Sequence, residues 1–154
     1  MYYFKVRSAE GATTQVISTV EKVLFLKGVD LFKSIPGEDL THIAAIAEQV
    51  DFPAGYSVFS EGEPGETMFL ILSGTVDIRS GDTVVASLGP KQCFGEMALL
   101  DAEPRSATVK ATSELSALQI FHDDFTEMLA EKPEIARGII KVLTRRLREA
   151  NRRN

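Results

Sequence analysis

From Ile17 the apolar positions recur with helical spacing, Ile17, Val20 and Leu24 on one face with Val23 beside it. The pattern breaks at Gly28. Leu31, Phe32 and Ile35 then form a compact apolar knot ahead of Pro36-Gly37. A second helix is predicted from about Glu38 to Gln49, striped by Leu40, Ile43, Ala47 and Val50. Glu38 and Asp39 suit the positive end of its dipole. From Val50 to Phe121 the texture changes to short β-rich runs separated by turn signals. The runs are Tyr56–Ser60, Thr67–Leu72, Thr75–Arg79, Thr83–Leu88, Ser106–Ala111 and Leu115–Phe121. In Thr75–Arg79, Val76 and Ile78 alternate with Thr75, Asp77 and Arg79, the pattern of a half-buried strand. Short strands at roughly 8–12-residue spacing argue for a sandwich, roll or barrel. The absence of βαβ alternation argues against a doubly wound parallel sheet.

After Phe121 helical spacing returns. Asp123 or Asp124 is placed to cap a helix reaching about Glu131, with Phe125, Met128 and Leu129 on one face. Lys132-Pro133 breaks it, and Pro133 suits the first turn of a last helix running to about Asn151. That helix carries two apolar stripes. Ala136, Ile140, Leu143, Leu147 and Ala150 repeat at 4, 3, 4, 3, a heptad seam. Ile135, Ile139 and Val142 lie beside it. One stripe can pack on the domain while the other meets a partner helix, most simply a second copy in a two-fold dimer. Alternatively both make one wide face on their own domain.

The organisation expected is an unassigned segment over 1–16, helices over 17–50, a β unit over 51–121 and C-terminal helices over 122–154. Tyr2, Tyr3, Phe4 and Val6 fit a short strand or the remnant of a preceding segment. With 154 residues the chain is about one domain, long enough for a core without disulfides or metals. No apolar run reaches the ~20 residues of a membrane span, and no signal peptide is visible. A single cysteine, Cys93, fits a reducing compartment and a cytoplasmic location, or the cytosolic face of a larger protein. The net charge of −5 is uneven: from Arg137 onward seven basic residues face one acidic, +6, and the preceding 136 residues carry −11. Such an acidic bulk is no nucleic-acid surface. The basic tail reads as a solvated helix face.

One segment carries candidate chemistry: Phe94-Gly95-Glu96-Met97-Ala98-Leu99-Leu100, then Pro104-Arg105-Ser106-Ala107-Thr108-Val109. A glycine precedes a short helical turn, predicted over Glu96–Leu100, whose first N–H groups face an incoming anion. Gly95 lets a ligand approach the backbone. Arg105 brings a permanent charge whose planar fork fits two phosphate oxygens. Glu96 accepts from hydroxyl groups but repels a bare phosphate. Together they suit a ligand with one negative charge beside a hydroxyl.

This run resembles the phosphate-binding cassette of cyclic-nucleotide-binding domains, over 94–109. The likeness extends over about 30–152, through Leu31-Phe32, Phe52-Pro53-Ala54-Gly55, Glu61-Gly62, Phe69 to Val76 and Leu88-Gly89-Pro90. It implies a mostly β fold with flanking helices. The roll is an antiparallel double-stranded β-helix, a jelly-roll-like β-roll, with N-terminal helices and a C-terminal two-helix lid or hinge. It implies cyclic AMP or cyclic GMP as ligand, no cofactor, no metal and no enzymatic activity. By this resemblance Glu96 takes the ribose 2′-hydroxyl and Arg105 the cyclic phosphate. Backbone N–H groups of Gly95, Ala98 and Ser106 complete the pocket, and the Ser106 hydroxyl can add a bond. Phe94, Met97 and Ala107 belong to the same cassette, and Ile78, Val85 and Leu88 match positions near the sugar and base. The family often covers the base with its C-terminal helix, where Arg146, Ala150 and Asn151 fall. Thr after the phosphate arginine tends to accompany cyclic GMP and Ala cyclic AMP; Ser106 has the hydroxyl without the methyl, and cyclic AMP is favoured.

Two other functional classes use a fold of this kind. A metal-dependent enzyme on a double-stranded β-helix needs clustered ligands such as two His and a carboxylate. His42 sits on the second helix and His122 at a strand end. A degenerate domain that dimerises or docks without nucleotide is the other alternative, and the presence of Arg105 points away from it. Family activators carry a helix-turn-helix after the long helix, and no such DNA-binding module is expected in this chain. Cys93 reads as a packing residue and His42 as a surface residue.

Overall fold

Among the described residues eight strands pair antiparallel throughout and form two four-stranded sheets. The computed structural model describes residues 16–101 and 103–152. The strand considered for Tyr2–Val6 lies outside them. The first sheet has the order β1-β8-β3-β6, built from β1 (Glu48–Phe52), β8 (Leu115–Phe121), β3 (Thr67–Ser73) and β6 (Cys93–Phe94). The second has the order β2-β7-β4-β5, from β2 (Ser57–Phe59), β7 (Thr108–Ala111), β4 (Val76–Ser80) and β5 (Thr83–Leu88). The expected jelly-roll-like β-roll with flanking helices is the architecture found.

Two apolar clusters hold it together. Phe52, Phe59, Phe69, Phe94 and Val109 fill the space between the sheets. The second cluster lies between the outer face of the first sheet and the helices, and includes Met68, Leu70, Leu118 and Ile120. β3 therefore buries both faces, Phe69 and Ile71 inward, Met68 and Leu70 toward the helices. This is why it reads as a continuous apolar run rather than an alternation. Each fully buried Leu or Phe there contributes roughly 1.5–3 kcal/mol.

α1 (Thr19–Leu26) starts with a capping box: Ser18 Oγ accepts from Glu21 N at 3.1 Å, and Glu21 Oε1 accepts from Ser18 N at 3.1 Å. The box places Ile17 outside the helix, so it cannot share a stripe with Val20 and Leu24. Instead Ile17, Val23 and Leu26 face the core, while Val20 and Leu24 are 69% and 61% exposed. Asp30–Phe32 forms one 3-10 turn whose Leu31 and Phe32 are buried, as the apolar knot predicted.

α2 (Gly37–Ile46) is shorter than expected. Ala47 is already extended at φ −91°, and β1 follows, so the boundary set at 50 falls inside a strand. The helical stripe through Ala47 and Val50 is also a strand alternation through Val50 and Phe52. Pairing with β8, Val50 opposite Ala117, decides for the strand. β6, two residues long, was not predicted. α4 (His122–Glu131) begins one residue before the expected cap; Asp123 and Asp124 lie in its first turn, where the dipole favours them, and do not cap. α5 (Pro133–Arg152) follows at the predicted proline.

Candidate functional site

The cassette grows out of the interior. Phe94 of β6 pairs opposite Phe69 of β3, and the two rings stack at 5.1 Å. Phe59 lies 5.8 Å from Phe94 and carries the Arg105 guanidinium over its face, 3.9 Å above the ring centroid. After Phe94 the chain turns sharply at Gly95, φ +75°, and enters α3 (Met97–Leu100) with Glu96 as its cap. The expected helical turn is present, one residue shorter.

Arg105 is held from every side. Its backbone N–H donates to Glu63 O at 2.7 Å, and its carbonyl accepts from Gly62 N at 2.8 Å. The residue is 7% exposed, and Nη2 donates to both the carbonyl and the hydroxyl of Thr67 at 2.9 Å. These contacts fix the plane of the fork before any ligand arrives, so little rotamer entropy remains to be lost on binding. Gly95 makes this possible. A Cβ there would stand 2.8 Å from Arg105 Nη1 and 2.9 Å from Thr67 O.

The cassette lines a cavity of about 440 Å³, within the size range of small-molecule sites. Of the residues expected at the site, Phe94, Gly95, Glu96, Met97, Arg105, Ser106, Ala107, Ile78 and Leu88 line it. Ala98 lies in α3 beside them. Val85 does not. The β4–β5 register runs from Ile78 opposite Ala86 to Arg79 opposite Val84, which leaves Val85 as the extra residue of a bulge, 59% exposed. Ala86 lines the cavity in its place. Asp101, Glu103, Pro104 and Val109, within the expected cassette 94–109 but given no role there, and Phe59 and Cys93 from outside it complete the lining. Asp101, Glu103 and Glu96 set three carboxylates against the one guanidinium. Such a balance admits a monoanion with hydroxyl groups better than a dianion.

Burial, and secondarily the Glu96 carboxylate, pushes the Cys93 thiol up to about 12. It is a protonated packing group rather than a nucleophile. His122 Nδ1 lies 2.8 Å from Leu99 O. A carbonyl only accepts, so the proton is on Nδ1, and the bond ties the start of α4 to the end of α3. His42 is exposed on α2. Among the described residues no group of three His, Cys, Asp or Glu is placed to hold a metal.

α5 contributes nothing to the lining of the large cavity. Ile135, Ile139 and Val142 are buried against the domain, whereas Ile140 and Leu147 of the heptad seam are 59% and 62% exposed. The first stripe is packed, whereas the seam is divided: Leu143 still packs part-buried against the core, and Ile140 and Leu147 face outward. Arg146 pairs with Asp30 at 2.8 Å and lines a second cavity of about 120 Å³, which also borders Glu96 and Met97. Asn151 is exposed near the helix end. Neither Arg146 nor Asn151 stands over the large cavity, because packing of the Ile135 stripe and the Asp30 pair direct α5 along the 3-10 turn.

Known proteins are similar to this chain in sequence and in fold. A CRP-like cAMP-activated global transcriptional regulator of Mycobacterium tuberculosis is 37% identical over 123 residues, 75% of this chain and 55% of that protein. A cyclic nucleotide-gated potassium channel of Mesorhizobium japonicum is 39% identical over 108 residues, 70% of this chain and 30% of the channel. The chain therefore spans about half or less of these relatives. The N-terminal domain of a transcriptional regulator from Streptomyces coelicolor superposes with a TM-score of 0.76 at 31% identity, covering 82% of this chain and 94% of that one. The family model of the cyclic nucleotide-binding domain matches residues 49–132, from β1 across the cassette to the end of α4. With a matching roll, a matching cassette and more than half its length inside that model, the chain belongs to the cyclic nucleotide-binding domain family.

Proposed function

We propose that the chain is a regulatory module that binds a cyclic nucleotide, cyclic AMP in preference to cyclic GMP, and relays its occupancy through α4 and α5. The observation that carries this reading is the seating of Arg105. A guanidinium fixed by Thr67 and Phe59 lies beside the N-terminal turn of α3 in a cavity of nucleotide size. Arg105 would hold the cyclic phosphate, with the N–H groups after Gly95 beside it. Glu96 would accept from the ribose 2′-hydroxyl. The apolar wall of Ile78, Ala86 and Leu88 would face the sugar and base. The carboxylates of Asp101 and Glu103 favour a monoanionic cyclic phosphate over an open, dianionic one. Relatives named as cAMP-activated and Ser106 in place of a threonine support cyclic AMP.

Relay rests on contact. The His122–Leu99 bond links the phosphate turn to α4, and α4 leads through Lys132-Pro133 into α5. A tightened turn would pull on α4 and let α5 swing over the base, Arg146 to Asn151 at its edge. The exposed Ile140–Leu147 seam supports pairing of two copies along α5.

Calorimetric titration with cyclic AMP, cyclic GMP and 5′-AMP tests the reading. Cyclic AMP is expected to bind, cyclic GMP more weakly and 5′-AMP at least tenfold more weakly. No binding of either cyclic nucleotide would sink the proposal, and a tenfold preference for cyclic GMP would reverse the choice of base.

A further inference from the structure

α5 changes character along its length. Up to Val142 it is anchored by buried side chains, Ile135, Ile139 and Val142. Leu143 still packs part-buried against the core, and from Thr144 to Arg152 no residue is buried. Over this stretch the described polar tether is Asp30. Its Oδ2 accepts from Arg146 Nη2 at 2.8 Å and Nε at 3.3 Å, and its Oδ1 lies 3.5 Å from Arg145 Nη2. Asp30 itself is firmly mounted, because Leu31 and Phe32 beside it are buried.

We propose that Asp30 is a positioning residue that holds the C-terminal half of α5 away from the ligand cavity, and that nucleotide binding releases it. The role in binding rests on the function proposed above; the holding itself does not. Three observations converge. Arg146 was expected at the base and is instead engaged by Asp30. Arg146 already stands beside Glu96 and Met97, across the 120 Å³ cavity. That empty space lies between α3 and α5, so it leaves room for α5 to move toward the phosphate turn. The hydrogen bond from Arg146 also outweighs burial and lowers the Asp30 carboxyl below its ordinary value, which agrees with a pair formed in this state.

The pair is half exposed, so its strength is that of a surface ion pair. A contact present in the ligand-free state and absent from the closed one must weaken binding by its own free energy. Removing it should tighten cyclic AMP binding about two- to fivefold.

The experiment compares wild type, Asp30→Ala and Asp30→Glu in the full chain. Hydrogen exchange is followed at 143–152 without nucleotide, with 118–120 as an internal control, and cyclic AMP affinity is measured by calorimetry. Asp30→Ala should exchange faster at 143–152, leave 118–120 unchanged and bind cyclic AMP two- to fivefold more tightly. Asp30→Glu, which keeps the charge, should return toward wild type in both. Unchanged exchange in Asp30→Ala overturns the proposal, as does equal or weaker binding. If no variant binds a cyclic nucleotide, the functional reading fails, and the exchange result alone decides whether Asp30 holds α5.

Discussion

Replacing Gly95 by alanine probes the site through its most crowded atom. Two costs apply. The φ of +75° is strained for a side-chain-bearing residue, at roughly 1–2 kcal/mol. The new Cβ would also meet Arg105 Nη1 at 2.8 Å and the Thr67 carbonyl at 2.9 Å. The carbonyl belongs to the central strand β3 and cannot yield, so Arg105 must. Overpacking of this kind costs roughly 1–3 kcal/mol. Gly55 provides the control, since its φ is +85° and a Cβ there meets nothing within 4 Å. Gly55→Ala should therefore carry the backbone cost alone. At roughly 2–4 °C per kcal/mol for a chain of this size, Gly95→Ala should melt below Gly55→Ala by about 2–12 °C. Cyclic AMP affinity should fall at least tenfold in Gly95→Ala and stay near wild type in Gly55→Ala. Scanning calorimetry and titration calorimetry read the two quantities. The reasoning is refuted if the two variants melt together and Gly95→Ala binds like wild type.

Arg105→Ala should fold yet lose about 30- to several-thousand-fold in affinity, the usual roughly 2–5 kcal/mol for truncating a desolvated charge pair. Arg105→Lys should recover only part, since an ammonium cannot hold Thr67 and a phosphate in one plane; unchanged titration curves would remove Arg105 from the site. If Glu96 accepts from the ribose, 2′-deoxy cyclic AMP should compete poorly, and equal competition removes that role. Deleting the chain after Thr144 should weaken nucleotide binding by reciprocity, and a truncated chain that binds as tightly as the whole refutes the lid. Cys93, with its thiol raised to about 12, is protonated in the fold when a free thiol ionises, so its contribution to stability is complete below pH 9.0 and lost as pH rises from there toward 12. Denaturation between pH 8 and 10.5 should show that loss in wild type and not in Cys93→Ala.

How much was legible follows from the range of each interaction. Apart from the two-residue β6, the turns and strands from Tyr56 to Phe121 were legible because their signals are local, a glycine or proline beside an alternating run. The cassette was legible because Gly95, Glu96 and Arg105 lie within eleven consecutive residues. The supports of Arg105 were not. Thr67 is 38 residues away, and nothing in its neighbourhood marks it as an acceptor for a guanidinium. Val85 was misplaced because alternation assumes an unbroken ladder, and a bulge leaves no mark in a run of β-branched residues. Helix α1 was turned about its axis because Ile17 was counted into a helix that Ser18 begins. Arg146 lies 116 residues from Asp30, so no pattern along the chain could show which of its possible partners it takes.

The bulge at Val85 has an effect beyond re-aiming a side chain into the cavity. β5 is the outer strand of its sheet, and Val84 and Val85 expose much of their surface. A straight outer strand of that composition would offer an unbroken row of backbone donors and acceptors to any other chain, and such rows seed aggregates. The extra residue interrupts the row and bends the strand, so a second copy cannot continue the ladder past it. The irregularity that defeats reading the register from sequence thus also blunts an exposed edge of the sheet.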